Sequence, residues 1–143
     1  MANIVELREM SDEKLEEMLE IAREEMFNLR FQKAISQLQN TVRIRHVRRE
    51  IAQIQETLHK RQLAKEVAAA QPEIATALRD QESYYASARY VYEDSGWRVV
   101  FEDDSGNELA TALVNLNKKH PKTRRDRGKK GQPQLVTSFE TAG

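Results

Sequence analysis

The sequence contains no cysteine and no long apolar run. Disulfide bonds and thiolate metal sites are therefore excluded, and no segment approaches the roughly 20 apolar residues of a membrane-spanning helix. The first residues lack the basic-then-apolar order of a secretion signal, and the acids Glu6, Glu9, Asp12 and Glu13 argue against an organelle transit peptide. These absences make the cytoplasm the expected location.

Patterns typical of enzymes are also missing. With five glycines in 143 residues, the chain has no phosphate-binding glycine loop, and it shows no His/Cys/carboxylate cluster at ligand spacing and no nucleophile beside a base. The many glutamates near the N-terminus follow helical spacing and indicate a solvated helix face. We therefore expect no catalytic residue, no metal and no cofactor.

The net charge is zero, but charge alternates strongly along the chain. Residues 1–25 carry three basic and nine acidic side chains, 26–65 carry nine and two, 66–110 carry three and ten, and 111–143 carry eight and two. Two basic blocks separated by acidic ones predict two separate contacts with a polyanion. The alternative is a set of solvated helix faces with biased charge.

The first half of the chain is predicted to be a helical hairpin. Ser11 is a good N-cap for a helix over about 12–35, and Thr41 is a good N-cap for a second helix over about 42–70. The first seam is Leu15, Leu19, Ala22, Met26 and Leu29, and the second is Ile44, Val47, Ile51, Ile54 and Leu58. The short connection makes the two helices antiparallel neighbours.

The second helix combines its apolar seam with a cluster of arginines. Arg43, Arg45, Arg48 and Arg49 lie between the seam positions and point elsewhere. Arginine suits phosphate because its planar guanidinium donates two parallel hydrogen bonds and stays charged. One side of this helix is therefore predicted to bury against its partner while the other meets folded RNA. His46 is interpreted as an exposed polar residue.

A further apolar stripe lies on another side of the first helix. Phe27, Phe31 and Ala34, with Leu38 beyond them, follow helical spacing but lie about 120–160° from the Leu15 stripe. Either the C-terminal part of the chain covers this stripe, or the stripe docks onto a neighbouring molecule.

Five segments carry a resemblance to a known family. They are Glu6–Glu13, Leu29–Ala34 (Leu-Arg-Phe-Gln-Lys-Ala), Gln37–Asn40, Arg43–Arg45 and Val47–Ala52. Their residue types, spacing and loop length resemble the bacterial type of large-subunit ribosomal protein twenty-nine over residues 1–66. The chain departs from the family's usual pattern in the connecting loop, where Ser36 stands in place of a common glycine.

The resemblance implies a helical hairpin bound to the large ribosomal RNA near the exit of the peptide tunnel. It implies a place beside ribosomal protein twenty-three, close to where nascent-chain factors dock, and no catalytic activity. The RNA-facing candidates are Arg30, Lys33, Arg43, Arg45, Arg48 and Arg49. The protein-contact candidates are Phe27, Phe31 and Leu38.

Residues 67–117 are predicted to form a small α+β extension. Pro72 suits the first turn of a short helix that ends near Gln81. A β-hairpin follows over about 86–102, with Ser95-Gly96 as its two-residue loop. In that register Tyr90 faces Phe101 and Tyr92 faces Val99, and two opposite-charge pairs form, Arg89 with Glu102 and Glu93 with Arg98.

The rest of the extension is predicted from weaker patterns. The Ser-x-x-Glu spacing of 105–108, followed by Leu109, Leu113 and Leu116, favours a helix over a third strand. Residues 118–143 are predicted to be a basic, extended tail whose first part orders on RNA and whose last part, 132–143, is disordered. Its RNA-binding candidates are Lys118, Lys119, Lys122, Arg124, Arg125, Arg127, Lys129 and Lys130.

The sequence as a whole predicts a mainly α protein in three parts, 1–66, 67–117 and 118–143. The first part indicates a structural rRNA-binding constituent of the large ribosomal subunit, and the extension indicates a second rRNA or protein anchor. The alternative is a helical-hairpin adaptor or chaperone-like interaction module, for which four clustered arginines would have no obvious purpose.

Overall fold

The computed structural model describes residues 3–117 and 135–142. The chain divides into two compact units, Met1–His59 and Lys60–Gly143. The elements in chain order are α1 (Ile4–Glu9), α2 (Asp12–Ala34), α3 (Val42–Ala69), α4 (Pro72–Arg79), β1 (Tyr85–Val91), β2 (Gly96–Glu102), β3 (Glu108–Val114) and β4 (Val136–Thr141).

The first unit contains the predicted helical hairpin. Ser11 caps α2, its hydroxyl accepting a hydrogen bond from the backbone N–H of Lys14 at 3.3 Å. The early residues of α2, such as Leu15, pack with Ile54, and its late residues, such as Met26, pack with Val47. Because low numbers in α2 meet high numbers in α3, the helices run antiparallel. All five predicted seam residues of α2 are buried, which confirms the helical spacing.

A short helix, α1, precedes the hairpin and was not predicted. Its Leu7 is 1% exposed and joins Leu15, Leu19 and Ile54 in one cluster. The backbone N–H of Asn3 donates to the Glu6 carboxylate at 3.1 Å and closes the first turn. A helix of six residues buries one side chain only, so it leaves no periodic pattern in the sequence.

The loop between α2 and α3 closes without the glycine that is common there. Ser36 adopts a left-handed conformation with φ of 59°. Its N–H donates to the carbonyl of Lys33, and the N–H of Gln37 donates to the carbonyl of Gln32. This pair of bonds is the Schellman motif that ends many helices. At the start of α3 the backbone N–H of Val42 donates a hydrogen bond to Oδ1 of Asn40. The capping side chain is therefore that of Asn40 and not, as predicted, that of Thr41.

The second unit is a four-stranded antiparallel sheet with one face covered by helices. The strands lie in the order β1-β2-β3-β4. The covered face presents six buried residues from its two central strands: Trp97, Val99, Phe101, Ala110, Ala112 and Val114. They pack against Ala64 and Ala68 of α3 and against Ile74 and Leu78 of α4. The predicted helix from Pro72 is confirmed, with proline in its first turn.

The predicted β-hairpin is present, but its predicted register is wrong. Tyr90 pairs with Trp97, and Arg89 pairs with Arg98, so neither predicted ion pair forms. Residues 92–95 form a four-residue loop in which Ser95 has φ of 50°. Gly96 belongs to β2 instead, where an added Cβ would lie 3.0 Å from the carbonyl oxygen of Val114. The close approach of the third strand therefore decides which residue must be glycine.

Residues 108–114 form a strand, so the helix favoured for this segment is wrong. Alternate residues of β3, from Ala110 to Val114, are buried against the helices. The turn before it is built by Asp103, whose Oδ1 accepts from the backbone N–H groups of Ser105 and Asn107, both at 2.9 Å. Gly106 supplies a φ of 86° within this turn. Pairing with β2 satisfies the backbone of β3, which helical propensity alone cannot anticipate.

The predicted disorder of 132–143 is wrong for residues 136–141. Here β4 pairs with β3, and Val136 is 5% exposed against the core. The backbone N–H of Asn115 donates to the carbonyl of Leu135 at 2.8 Å, just beyond the paired strands. In the sequence, the predicted basic run lies between β3 and β4. Its candidates, between Lys118 and Lys130, lie outside the described residues.

Candidate nucleic-acid interface

Three arginines in the first part of α3 lie on the side opposite its buried seam. Val47 and Ile54 are 0% exposed on the side facing α2. Arg45, Arg48 and Arg49 are exposed, and helical geometry places them within an arc of about 100°. None of the three has an ion pair with another described residue. The result is a compact positive surface on a helix whose other side is fixed by packing.

Arg43, the fourth predicted arginine, has a partner on α2. Its Nε donates to a carboxylate oxygen of Glu25 at 2.6 Å. This hydrogen bond and the charge of Glu25 raise the pKa of Arg43 above its ordinary value. No local pattern identifies Glu25 as the partner, because the two residues are 18 positions apart and meet only when the hairpin closes. Arg43 therefore tethers the two helices near the loop.

Two further basic candidates lie on α2. Arg30 and Lys33 are both exposed in its last two turns. Neither forms an ion pair with another described residue. Lys33 also stands in the last turn, where a cation is favoured by the helix dipole. His46 on α3 is exposed, as expected for a polar surface residue.

The aromatic stripe of α2 is exposed. Phe27 is 69% exposed and Phe31 is 58% exposed, values well above those of ordinary core phenylalanines. Leu38, the third predicted contact residue, is half-buried and packs against the cluster around Met26 and Val47. Leu38 therefore serves the hairpin itself. Ile21, which is not part of the predicted seam, is 59% exposed on the same helix.

Within residues 3–117 and 135–142, no group of three His, Cys, Asp or Glu side chains is arranged to hold a metal ion. No helix in them is both long and apolar enough to cross a bilayer.

Comparison with known proteins identifies the hairpin. The family model described as "Ribosomal L29 protein" matches residues 5–61. A protein of Mycobacterium tuberculosis strain H37Rv, named large ribosomal subunit protein uL29, is 58% identical over 45 residues, which are 32% of this chain and 58% of that protein. The matched segment thus spans less than two thirds of the mycobacterial relative.

Two relatives from other bacteria carry the same name. The uL29 protein of Magnetococcus marinus is 58% identical over 45 residues, which are 32% of this chain and 67% of that protein. The uL29 protein of Symbiobacterium thermophilum is 52% identical over 46 residues, which are 32% of this chain and 66% of that protein. With its helical hairpin and its matched segments, the chain belongs to the ribosomal L29 protein family.

Proposed function

We propose that this chain is a structural constituent of the large ribosomal subunit that binds rRNA through the exposed side of α3. The observation that supports it is the exposed cluster of Arg45, Arg48 and Arg49, which is backed by a buried seam and lacks acidic partners among the described residues. Arg30 and Lys33 add exposed positive charge in the last two turns of α2. Arg43 contributes chiefly by fixing α3 on α2 through Glu25.

The contacts of these arginines are with the RNA backbone. Guanidinium groups on a helix reach phosphates readily, whereas the deep, narrow major groove of RNA duplexes excludes side chains from the bases. The helix therefore positions the protein on folded RNA rather than reading a sequence. Each phosphate that an arginine neutralises releases counterions, so binding weakens steeply as salt rises.

The proposed location is the cytoplasmic ribosome, near the exit of the peptide tunnel. Family membership supports a place in the large subunit. The resemblance of residues 1–66 favours a position beside ribosomal protein twenty-three, close to where nascent-chain factors dock. The exposed Phe27 and Phe31 are suited to the protein side of that position, because they offer apolar area that the hairpin does not cover. We assign them to protein contact and the arginines to RNA.

The extension is proposed as a second rRNA or protein anchor. Its basic run contains eight lysines and arginines between Lys118 and Lys130 and one acid, Asp126. Such a composition favours ordering on a polyanion over building a core.

Gradient sedimentation with large subunits tests the proposed function. Full-length Arg45→Gln/Arg49→Gln should leave the subunit at lower salt than the unaltered chain, because two phosphate contacts are lost. The matched control is Lys14→Gln/Arg23→Gln, which removes the same charge from exposed residues already paired with Glu17 and Glu20. Equal retention of the two variants would contradict rRNA binding through α3.

The alternative function, a helical-hairpin adaptor, is favoured by the exposure of Phe27 and Phe31. On that hypothesis Phe31→Ala should abolish capture of a protein partner and leave RNA association intact. On the ribosomal hypothesis the same variant should weaken retention only partly, since the arginines still hold the RNA. Measuring retention and RNA affinity of Phe31→Ala in parallel separates the two functions.

A further inference from the structure

The sheet of the second unit has an outer face, which is the side turned away from α4 and the end of α3. Strand alternation places Tyr85, Ser87 and Arg89 of β1 on this face, beside Arg98 and Val100 of β2. The covered face holds the intervening residues, which pack into the core. The outer face is therefore open to a partner along β1 and β2.

Two arginines stand directly opposite each other on the outer face. Arg89 is the cross-strand partner of Arg98, and both are exposed. Neither forms an ion pair with another described residue. Like charges directly opposite on neighbouring strands are destabilising. An anion between them relieves that repulsion, and a phosphate accepts hydrogen bonds from both guanidinium groups.

An exposed aromatic ring lies on the same face as the arginine pair. Tyr85 is 65% exposed, and it stands four residues before Arg89 on β1, roughly 13 Å along the strand. Ser87 lies between them with its hydroxyl on the same side. Aromatic rings beside unpaired arginines are the combination with which proteins bind single-stranded RNA, by stacking on bases and neutralising phosphates.

Acidic residues limit where a polyanion can lie on this sheet. Glu102 stands opposite Tyr85, and Glu108 and Glu140 belong to β3 and β4. Asp94 lies in the β1–β2 loop and lines, with Arg98, a shallow depression of about 560 Å³. These acids lie at the end of β2, at the start of β3, on β4 and in the β1–β2 loop, so the positive charge of the outer face is concentrated at the arginine pair on β1 and β2.

We propose that the outer face of β1 and β2 binds an unpaired segment of RNA, with a phosphate held between Arg89 and Arg98 and a base stacked on Tyr85. This site is separate from the surface of α3 used in the proposed function. The inference rests on the proposed function in one respect, because that function identifies the polyanion as RNA. The site was not predicted, because the register predicted from the sequence pairs each arginine with an acidic partner. The register of the structure brings the two arginines together instead.

Fluorescence anisotropy with a short single-stranded RNA tests the arginine pair. Full-length Arg89→Gln/Arg98→Gln should bind about tenfold more weakly than the charge-matched control Lys14→Gln/Arg23→Gln. Its salt slope should also fall by about 0.7, which corresponds to the one phosphate held between the two arginines on a single strand. Its melting temperature should not fall, because removing the two charges relieves their repulsion. If the double variant does melt earlier, the single Arg89→Gln variant on the edge strand serves in its place.

Tyr85→Val tests the stacking part of the proposal. Valine keeps the β-branched preference of the strand but removes the aromatic ring. Affinity for the single-stranded RNA should fall about tenfold, while affinity for a short RNA duplex, whose bases are stacked internally, should stay the same. An equal loss for both RNAs would overturn the stacking assignment.

Two outcomes of the arginine experiment overturn the proposal. One is unchanged RNA affinity and salt slope in Arg89→Gln/Arg98→Gln. The other is unchanged RNA affinity with lost retention on the large subunit, which would assign this face to a protein partner. Arg45→Gln/Arg49→Gln is measured in the same assay. If only that variant loses RNA affinity, the outer-face site is refuted but the proposed function is not. If neither double variant loses RNA affinity, the proposed function is refuted as well.

Discussion

At the scale of single residues, the backbone of Ser36 shows how the loop of the hairpin is closed. Its φ of 59° lies in the left-handed region, which costs a residue with a Cβ about 1–2 kcal/mol relative to a right-handed conformation. The Schellman bonds from Ser36 and Gln37 offset that cost by satisfying two carbonyls at the end of α2. The loop geometry is therefore set by helix capping, whereas the Cβ of Ser36 disfavours the left-handed conformation that the loop requires.

Replacing this serine by glycine should stabilise the protein. Ser36→Gly removes the left-handed penalty, and after the greater chain entropy of glycine the gain should be about 1 kcal/mol in the free energy of unfolding. For a chain of this size the melting temperature should rise by about 2–4 °C. Ser36→Ala is the control, because it keeps the Cβ and should show no such gain. A glycine variant that melts no later than wild type would contradict this account.

Asp103 makes the turn before β3 sensitive to acid. Hydrogen bonds from Asn107, supported by the backbone of Ser105, lower the pKa of Asp103 below its ordinary value of 3.8. A carboxyl whose folded-state pKa is depressed contributes stability above its unfolded-state pKa, and that contribution is lost as pH falls through the folded-state pKa. The turn is therefore most stable at neutral pH and weakens below about pH 4.

Asp103→Asn should lower the melting temperature at pH 7 and change it little at low pH. The variant and the wild type should converge as the pH falls below the ordinary carboxyl range, because Asp103 is then protonated in both states of the wild type. Thermal unfolding across a pH series measures this. Asp94→Asn, in the exposed β1–β2 loop, controls for the loss of one charge. Parallel pH profiles for the wild type and Asp103→Asn would rule out the proposed role of this turn.

At the scale of elements, α3 is defined by the contrast between its two sides. Val47 is 0% exposed against α2, whereas Val42, in its first turn, is 52% exposed. Burial of the seam fixes the rotation of the helix, and the rotation in turn presents Arg45 and Arg49 outward. Packing and the proposed RNA binding are thus two consequences of one helical pattern.

Val47→Ala should cost about 2–3 kcal/mol in the free energy of unfolding, since two buried methyl groups are lost and a cavity remains. Val42→Ala makes the same chemical change at the exposed position and should cost less than about 0.5 kcal/mol. Chemical denaturation followed by circular dichroism compares them. Equal costs at the two positions would mean that the seam is not packed as the structure has it.

At the scale of the whole molecule, a net charge of zero conceals separated blocks of opposite sign. The proposed association with RNA should depend on the local arginine cluster rather than on the net charge, because charges more than about 10 Å away are screened at ordinary ionic strength. The neutral chain should therefore bind RNA with the salt dependence of a basic protein.

A plot of the logarithm of the association constant for an RNA duplex against the logarithm of salt concentration measures this dependence. Three phosphate contacts from Arg45, Arg48 and Arg49 predict a slope of about −2 to −3, and further contacts make it steeper. The slope of Arg45→Gln/Arg49→Gln should be shallower by about 1.5. A slope near zero for the unaltered chain would exclude the proposed electrostatic contact.

The sequence by itself determined the hairpin, because apolar residues recur with a period of about 3.6 over many turns of α2 and α3. Such a pattern is local and can be recognised without the tertiary structure. It also determined which arginines lie opposite the seam, such as Arg45 and Arg49. Only the tertiary structure decided the ion pair of Arg43 with Glu25, the register that sets Arg89 against Arg98, and the strand conformation of 108–114 and 136–141. Strand pairing is a long-range choice, in which each strand is stabilised by the backbone of its neighbours and by the helices that cover one face. A short segment read alone carries too little of that information to predict the result.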